Sequence, residues 1–502
     1  MRYLPDSEEM RRMDAHTIHT MGIPSIILME HAAQGVVSGM EDCLDRQSLI
    51  LVICGSGNNG ADGLAVARLL SHKEYKVHIA LVGNEAHATE EWRTQRMICK
   101  NLNIPVYEGA MEGESLKAAG YTHLVDCLFG TGLSREVGGA YANAIAAINA
   151  SGIYTVSVDI PSGISSDTGA VMGCAVKASM TVAIHAEKLG MALYPGHGYC
   201  GKIVICDIGI TKESTEHVSP KGFTLDSSDL DRLPLRPAYS NKGSFGKLLI
   251  LVGSKNMSGA AYLSGLAAYR SGAGLVKVMT CESNRTIIQQ LLPEAVLATY
   301  PDSDEKDASS EAITVLEESL SWATAVVAGP GLGTGDNANR LMEHLLCHVK
   351  QPLLIDADGL NIIAARSELL DLIGENVIVT PHLGEMGRLC SVQVSKIQSD
   401  IVRTAADFSA AHGCITVLKD ARTVVALPDG RFYVNTCGNS GMATGGSGDV
   451  LSGTIGGMLA SGSSLAEAAV YGTLRHSLAG DEASSDIGER ALMARDIAWR
   501  LV

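Results

Sequence analysis

The densest group of residues suited to chemistry lies in the run NTCGNSGMATGGSGDVLSG, from Asn435 to Gly453. Glycines at Gly445, Gly446 and Gly448 allow successive backbone N–H groups to face one point at the start of the following helix, which makes an anion hole. Asp449 falls in the first turn of that helix. A carboxylate beside a site for negative charge is repulsive unless it accepts a proton from a hydroxyl group that is being phosphorylated. The alternative, that Asp449 only complements the helix dipole, is disfavoured by the density of glycine.

A second group follows an apolar run near the N-terminus, in the sequence CGSGNNGADG from Cys54 to Gly63. A strand, a Gly-rich turn and then the helical pattern ADGLAVARLL form the layout of an anion site. Asn58, Asn59 and Asp62 supply side-chain oxygens there. A tight loop in which Asp62 caps the helix is the alternative interpretation.

Two further strand ends carry polar side chains: Asp126 in VDCLFGTGLSR, and Asp159 and Ser162 in SVDIPSGISSDTG. Because the carboxyl ends of parallel strands meet at one crevice, we expect Asn59, Asp126, Asp159 and Ser162 to share a pocket. Their oxygens suit a hard cation, and the lack of a His or Cys cluster argues against zinc. A second carboxylate could move a proton. Taken singly, each carboxylate is also compatible with a helix cap or a solvated loop.

Two series of apolar runs would position these groups. Continuous apolar strands separated by helical stretches predict parallel sheets covered on both faces. The first series predicts strands at residues 49–54, 76–81, 123–127 and 153–160. The second predicts strands at residues 247–253, 273–280, 324–329, 352–358, 376–381 and 414–420.

The segment 211–244 between the two series is polar and contains proline. We therefore expect a domain boundary near residues 211–225, with an N-terminal domain over 1–215 and a C-terminal domain over 225–502. No short internal repeat is found. The halves are predicted to be two different α/β domains.

Composition narrows the function classes. A chain of 502 residues with 54 glycines and 19% charged residues is not one small domain, collagen or a disordered chain. The net charge of −16 argues against a nucleic-acid partner. Twelve cysteines without a CxxC pair predict reduced thiols. The polar N-terminus and the lack of an apolar run near 18 residues predict a soluble cytoplasmic protein with no membrane partner.

The N-terminal motifs, together with HAEKLGMALYPG at residues 185–196, resemble the NAD(P)H-hydrate epimerase domain, which is a Rossmann-like three-layer fold. The resemblance implies that K⁺ is bound by Asn59, Asp126 and Ser162, although these oxygens alone equally admit sodium or magnesium. It also implies that Asp159 binds substrate and performs acid/base catalysis. The other implied substrate-binding residues are Asn58, Asn59, Gly60, Ala61, Asp62, Gly130, Thr131, Gly132, Leu133, Ser134, Arg135 and Glu136. Ala61 and Glu136 stand where the family often has Gly and Pro, and neither change removes a ligand.

Residues 225–502 resemble the nucleotide-dependent NAD(P)H-hydrate dehydratase, of the ribokinase-like α/β fold. The block GNSGMATGGSGDVLSG matches this family more closely than it matches sugar kinases. By resemblance Asp449 is the base and contacts the substrate. The implied hydrate contacts are Gly331, His382, Leu383, Gly384, Glu385, Met386, Gly387 and Arg388. The implied nucleotide contacts are Lys419, Asp420, Ala421, Arg422, Thr423, Asn439, Ser440, Gly441, Met442, Ala443, Thr444, Gly445, Gly446, Ser447 and Gly448. Leu383 and Gly387 replace the usual Pro and Ala.

Both resemblances together imply bifunctional nicotinamide nucleotide repair. The N-terminal domain would interconvert the R and S hydrates of NADH and NADPH (NADHX and NADPHX), and the C-terminal domain would dehydrate the S form at the expense of ADP, giving AMP and phosphate. The arrangement favours ADP over ATP, and it implies Mg²⁺ in the dehydratase domain and a homo-oligomer. The alternative is a ribokinase-like kinase for a small molecule such as a vitamin precursor, which would make a stable phosphorylated product, with a non-catalytic nucleotide-binding module at its N-terminus. The complete set of Asn59, Asp126, Asp159 and Ser162 disfavours that module.

Overall fold

The computed structural model describes residues 1–107, 112–303 and 306–501. The chain divides into two compact units, a first unit over Arg2–Phe223 and a second unit from Thr224 onward that also includes Met1. Within the described ranges, no helix combines the length and the apolar character needed to cross a membrane.

The first unit alternates strands and helices. Its strands are β1 (Arg2–Tyr3), β2 (Leu49–Cys54), β3 (Lys76–Leu81), β4 (His123–Cys127), β5 (Tyr154–Val158), β6 (Met180–Ile184) and β7 (Lys202–Cys206). Its helices are α1 (Ser7–His19), α2 (Ser25–Met40), α3 (Asn58–His72), α4 (Glu90–Asn101), α5 (Gly113–Ala118), α6 (Gly139–Ser151), α7 (Leu189–Ala192), α8 (His197–Cys200) and α9 (Lys212–Val218). Strand β8 (Gly222–Thr224) follows.

The central sheet of the first unit has the order β3-β2-β4-β5-β6-β7, and all its strands are parallel. Alternate residues of β2 face opposite sides: Ile50 and Val52 pack into the core that contains α2 and α3, whereas Leu51 and Ile53 pack into the core that contains α6. This arrangement confirms the predicted three-layer α/β fold. The strand order reverses between β2 and β4, and in such sheets the crevice outside the carboxyl ends at this point binds ligands.

The second unit continues with strands and helices. Its strands are β9 (Lys247–Leu251), β10 (Leu275–Cys281), β11 (Val296–Tyr300), β12 (Ala325–Ala328), β13 (Leu353–Ile355), β14 (Val377–Val379), β15 (Ile415–Leu418), β16 (Val424–Ala426) and β17 (Phe432–Val434). Its helices are α10 (Ser258–Arg270), α11 (Arg285–Leu291), α12 (Lys306–Trp322), α13 (Asp336–His348), α14 (Asp358–Ala365), α15 (Leu383–Cys390), α16 (Val394–Ser399), α17 (Ile401–His412), α18 (Ser447–Ala460), α19 (Leu465–Ile487) and α20 (Ala494–Trp499).

These nine strands follow the order β17-β16-β15-β14-β13-β12-β9-β10-β11. Strands β9 to β15 pair in parallel, and β16 and β17 extend the sheet as antiparallel strands. Helix α18 packs against both this sheet and α10. A Cβ on Gly456 would lie 2.4 Å from Val327 of β12, and a Cβ on Gly453 would lie 2.2 Å from the carbonyl oxygen of Ser264 in α10. The small residues of α18 therefore allow the close packing that fixes its N-terminus.

The structure departs from the sequence predictions at several elements. Helix α3 begins at Asn58 rather than Ala61, so the Asn-Asn pair lies in the first helical turn instead of in a free loop. The polar segment between the two strand series contains α9 as well as β8. Besides β8, the sequence analysis did not predict β1, β6, β7, β11, β16 and β17.

Candidate active sites

A cavity of about 1450 Å³ lies in the first unit, between α1, α2 and the loops that follow β2, β4 and β5. It matches the crevice expected at the reversal of strand order. Eleven of the predicted substrate-binding residues line it: Asn58, Asn59, Asp62, Gly130, Thr131, Gly132, Leu133, Ser134, Arg135, Glu136 and Asp159. Gly60 and Ala61 do not, because they are buried where α3 packs on the end of β2; a Cβ on Gly60 would lie 1.9 Å from the carbonyl oxygen of Gly55.

Asp126 and Ser162 meet beneath this cavity. Asp126 is fully buried, and its carboxylate accepts hydrogen bonds from the Ser162 hydroxyl (2.6 Å), the Ser162 N–H (2.9 Å) and the Ser157 hydroxyl (2.8 Å). Burial raises the pKa of Asp126, although the hydrogen bonds from Ser162 and Ser157 favour its ionised form. The backbone N–H of Phe129 donates to the Ser162 hydroxyl at 2.9 Å, which ties the loop after β4 to the loop after β5.

Asn59 supplies an unsatisfied amide at the same place. Its Oδ1 and Nδ2 are buried, and neither has a hydrogen-bond partner among the residues that the structure describes. A buried, unpaired amide carries a desolvation cost that a ligand would relieve. Gly130 permits the close approach here, since a Cβ on it would lie 3.0 Å from Asp159 Oδ2 and 3.5 Å from the Asn59 Cβ. Asn59 lines the cavity, whereas Asp126 and Ser162 are bonded to each other outside its lining; all three carry oxygens of the type that hard cations bind.

Asp159 forms a buried ion pair that the sequence analysis did not find. Its φ of +74° is unusual for a residue other than glycine, and such strain concentrates at functional sites. Lys188, which is fully buried, donates from Nζ to Asp159 Oδ1 and to the carbonyl oxygen of Ile184 (2.7 Å). Lys188 stands in the HAEKLGMALYPG run, but no spacing rule singled it out.

In the second unit, Asp449 lies in the first turn of α18, after Gly446, whose φ is +92°. Burial raises the pKa of Asp449 to about 7, and the nearby Asp356 carboxylate adds to the shift. The ring Nε2–H of His476 donates to the carbonyl oxygen of Ser447 at 3.0 Å and holds the start of the helix. Burial lowers the pKa of His476 to about 4, so this ring is neutral.

Asp356, which is buried, and Lys419, which is partly exposed, form a second ion pair beside Asp449. Asp356 follows β13 and accepts from Lys419 Nζ at 2.6 Å and from the Ser452 hydroxyl at 2.7 Å. A Cβ on Gly448 would lie 3.5 Å from Lys419 Nζ, so the glycine turn leaves room beside the ammonium group. The sequence analysis predicted a strand over residues 352–358, but it did not single out Asp356, because a strand-end carboxylate is common in loops.

The predicted hydrate loop borders this cluster. His382 forms a bridge with Lys419, whose N–H donates to the carbonyl oxygen of Pro381 at 2.8 Å. His382 caps α15, which carries the predicted residues Leu383 to Arg388, and its N–H donates to Glu385 Oε2 at 2.8 Å. Burial raises the pKa of Glu385, which is also near Asp356.

Two residues of the second unit that were predicted to contact the hydrate, Arg388 and Gly331, pack against residues outside this cluster. The guanidinium of Arg388 donates to Asn361 Oδ1 at 2.9 Å from Nη2 and at 3.1 Å from Nε. Gly331 packs on α10, where a Cβ on it would lie 2.8 Å from that of Ala260.

The remaining predicted nucleotide residues form two groups. Residues 420–423 make the turn between β15 and β16. Asn439 Nδ2 donates to Asp481 Oδ1 at 2.8 Å and to the Ser484 hydroxyl at 3.1 Å, so the start of the glycine-rich run is tied to α19. Ser440 and Gly441 line a smaller cavity of about 530 Å³ with residues 487–491.

Comparisons with known proteins agree with this division of sites. Residues 248–500 match the family model described as NAD(P)H-hydrate dehydratase, and residues 25–190 match the model described as YjeF-related protein N-terminus. The chain is 36% identical to the bifunctional NAD(P)H-hydrate repair enzyme of Moorella thermoacetica, over 99% of this chain and 95% of that protein. It is 31% identical to the enzyme of that name from Escherichia coli, over 98% of this chain and 92% of that protein.

A solved structure supports the second unit. The ribokinase-like superfamily protein of Enterococcus faecalis has a TM-score of 0.50 and 29% identity, over 56% of this chain and 94% of that chain. The predicted fold class, a Rossmann-like N-terminal part and a ribokinase-like C-terminal part, is thus confirmed. The chain belongs to the family of bifunctional NAD(P)H-hydrate repair enzymes.

Proposed function

We propose that this chain interconverts the R and S epimers of hydrated NADH and NADPH and dehydrates the S epimer at the expense of ADP. Epimerisation is assigned to residues 1–215 and dehydration to residues 225–502. The observation that carries the proposal is the placement of Asp449 in the first turn of a glycine-rich helix, beside the Lys419–Asp356 pair. A base next to an anion site suits the phosphorylation of a hydroxyl group.

The dehydration then has a balanced course. Asp449 accepts the proton of the ring hydroxyl group. The hydroxyl oxygen attacks the terminal phosphoryl group of ADP, and AMP leaves. The C–O bond next breaks, phosphate departs with the electron pair, and loss of a ring proton restores the nicotinamide double bond. Lys419 and the N–H groups of residues 445–448 are assigned to the phosphates, and residues 382–388 with Gly331 to the hydrate.

In the epimerase site, Asp159 is assigned acid/base catalysis, and the loops at residues 58–62 and 130–136 are assigned to the hydrate. Asn59, Asp126 and Ser162 would hold K⁺. One carboxylate, one amide and one hydroxyl carry a single negative charge, which suits a monovalent cation. The bound cation would fix the loops after β4 and β5 and the amide of Asn59.

Mg²⁺ is assigned to the dehydratase reaction, where it would neutralise charge on the nucleotide phosphates. Magnesium commonly keeps several waters and binds substrate phosphates with few protein ligands.

The deciding experiment supplies the purified protein with mixed-epimer NADPH hydrate, K⁺ and Mg²⁺, and adds ADP or ATP in turn. Recovery of the reduced-nicotinamide absorbance from both epimers with ADP is the expected result. A heat-treated sample and a sample without nucleotide are the controls. If no absorbance returns while a phosphorylated product accumulates from another alcohol, the chain is a small-molecule kinase instead.

A further inference from the structure

Asp14, in α1, lines the cavity of the first unit, and the sequence analysis assigned it no role. The side chain is half-buried. No hydrogen-bond donor or ion-pair partner reaches its carboxylate from residues 1–107, 112–303 or 306–501. Of the other carboxylates that line the cavity, Asp159 is paired with Lys188 and Asp167 with Ser7, whereas Asp62 and Glu136, like Asp14, accept no hydrogen bond from the described residues. Asp14 is therefore available to a bound ligand.

The charges around Asp14 do not balance when all groups are ionised. Asp14, Asp62 and Asp159 line one cavity, and the buried ammonium of Lys188 is already bonded to Asp159. Three neighbouring carboxylates with one ammonium group hold a shared proton most readily. Burial, with the Asp159 charge, raises the pKa of Asp14 to about 6, while burial holds the pKa of Asp62 well above its usual range. Of the three carboxyl groups, Asp14 is thus suited to exchange a proton near neutral pH.

The other charged groups that face the cavity do not remove this imbalance. They include two cationic and three anionic side chains and a histidine, namely Arg11, Arg135, Glu91, Glu136, Asp167 and His19. Helix α9 packs against α1 through His217, which stacks on His16, and through Ser214, which bonds His16 and Thr17.

We propose that Asp14 is a second catalytic acid and base of the epimerase, which contacts the hydroxyl group of the bound hydrate and works with Asp159. This inference rests on the proposed epimerase function. Inversion of the carbon requires two proton transfers. The proposal assigns them to two carboxyl groups of one cavity, Asp14 on helix α1 and Asp159 at the end of β5.

The proton and electron balance is as follows. Asp14 gives its proton to the hydroxyl oxygen, the C–O bond breaks with its electron pair on oxygen, and water leaves. The lone pair of the adjacent ring nitrogen forms the C=N bond of an iminium ion. Water adds to the other face of this carbon, the C=N electrons return to nitrogen, and Asp159 takes the proton. The reverse epimerisation uses the two carboxyl groups in exchanged roles. Between turnovers in the same direction, Asp159 releases its proton to solvent and Asp14 takes one up, which restores the starting state.

The test compares full-length Asp14→Asn with wild-type protein and with Glu8→Gln, which removes an exposed carboxylate from the same helix, outside the cavity lining. Epimer exchange is measured from pure R and pure S hydrate by chiral chromatography, without nucleotide. We expect Asp14→Asn to lower kcat by about 10²- to 10⁴-fold with little change in KM. Glu8→Gln should match the wild type, and Asp14→Glu should restore part of the rate.

Two further readouts separate a catalytic role from a structural one. The ADP-dependent dehydration of pure S hydrate by the same Asp14→Asn chain should stay unchanged. The wild-type kcat/KM for exchange should fall in both directions as the pH rises above about 6, because the singly protonated pair is lost, and Asp14→Asn should lack this limb.

If Asp14→Asn exchanges the epimers at the wild-type rate, the assignment of Asp14 is wrong while the epimerase function stands. The same conclusion follows if the loss lies entirely in KM and the decrease in kcat/KM at high pH is retained. A wild-type protein that does not exchange epimers would overturn both.

Discussion

The carboxylates of Asp356 and Asp449 have different electrostatic environments, although both lie near the ammonium group of Lys419. Asp356 is bonded directly to Lys419 and Ser452, whereas Asp449 is not and has its pKa raised to about 7. Direct pairing favours the ionised form, and burial beside a like charge disfavours it. Asp449 is thereby tuned to accept a proton near neutral pH, while Asp356 is a positioning residue.

This difference predicts the pH dependence of dehydration. Asp449 must be ionised to act as a base, so the wild-type rate on pure S hydrate should rise as the pH increases through about 7. Asp356→Asn removes the neighbouring negative charge and should move this limb to lower pH. The measurement is kcat between pH 5 and 9, with exposed Asp371→Asn as the matched control. If kcat of Asp356→Asn rises over the same pH range as kcat of the wild type, the role given to Asp356 is wrong.

The proposed cation site makes a separate prediction. Ser157 donates to Asp126 at 2.8 Å but is not itself a proposed cation ligand. Residues that orient a ligand commonly change metal affinity by about 10- to 100-fold when they are replaced. Ser157→Ala should therefore raise the K⁺ concentration that gives half-maximal epimer exchange by about that factor. Titration with K⁺, at constant ionic strength set with tetramethylammonium, measures it, and dehydration of pure S hydrate serves as the internal control. An exchange rate independent of K⁺ would exclude the site.

At the scale of elements, α18 brings the anion site to its place through close packing with α10. A Cβ on Gly453 would lie 2.2 Å from the carbonyl oxygen of Ser264. Gly453→Ala should reduce the free energy of unfolding of the second unit by about 1–3 kcal/mol. The carbonyl oxygen of Ser264 belongs to the backbone of α10, which cannot move aside as the end of a flexible side chain can. Gly259→Ala, in α10 with nothing within 4 Å, is the matched control and should leave it unchanged or raise it by up to about 1 kcal/mol.

Urea-induced unfolding, followed by circular dichroism, compares the two alanine variants. Gly453→Ala should also slow dehydration and leave epimer exchange intact, because only the second unit contains α18. Equal stability of the two variants would mean that α18 can move away from α10 at no cost.

Three strands of the first unit were predicted with the bounds that the structure shows. Residues 49–54, 76–81 and 123–127 form β2, β3 and β4, and β3 is a partly exposed edge strand. The missed strands β7 and β11 are partly exposed edge strands, which weakens their apolar pattern. Strands β16 and β17, which have three residues each, were also missed, although β13 and β14 of the same length were predicted.

The same limit applies to the sites. Asn59, Asp126 and Ser162 could be predicted because each follows or ends a strand, and the parallel topology brings strand ends together. Lys188 and Asp14 could not be predicted in this way. The position of Lys188 depends on how the segment before α7 folds over the sheet, and that of Asp14 depends on how helix α1 does. No spacing in the sequence records those contacts.

At the scale of the whole molecule, each proposed site is complete within one unit: Asp159 and Lys188 lie in the first, Asp449 and Lys419 in the second. The shared intermediate is the free S hydrate, so the two activities should combine between separate chains. We expect an equimolar mixture of full-length Asp159→Ala and Asp449→Ala to recover the absorbance of both hydrate epimers with ADP. Asp159→Ala alone should recover only the S fraction, over times shorter than uncatalysed epimer exchange, and Asp449→Ala alone should recover none.

The double variant Asp159→Ala/Asp449→Ala is the control for residual activity in either unit. If the mixture recovers no more than Asp159→Ala alone, the S hydrate must pass between sites of one chain without release, and independence of the two units is wrong. Full recovery that slows on dilution of the mixture at fixed substrate would instead show that the hydrate crosses solution between chains. The fusion would then serve to keep both activities at equal abundance, which matters because a dehydratase specific for the S epimer leaves the R epimer unrepaired.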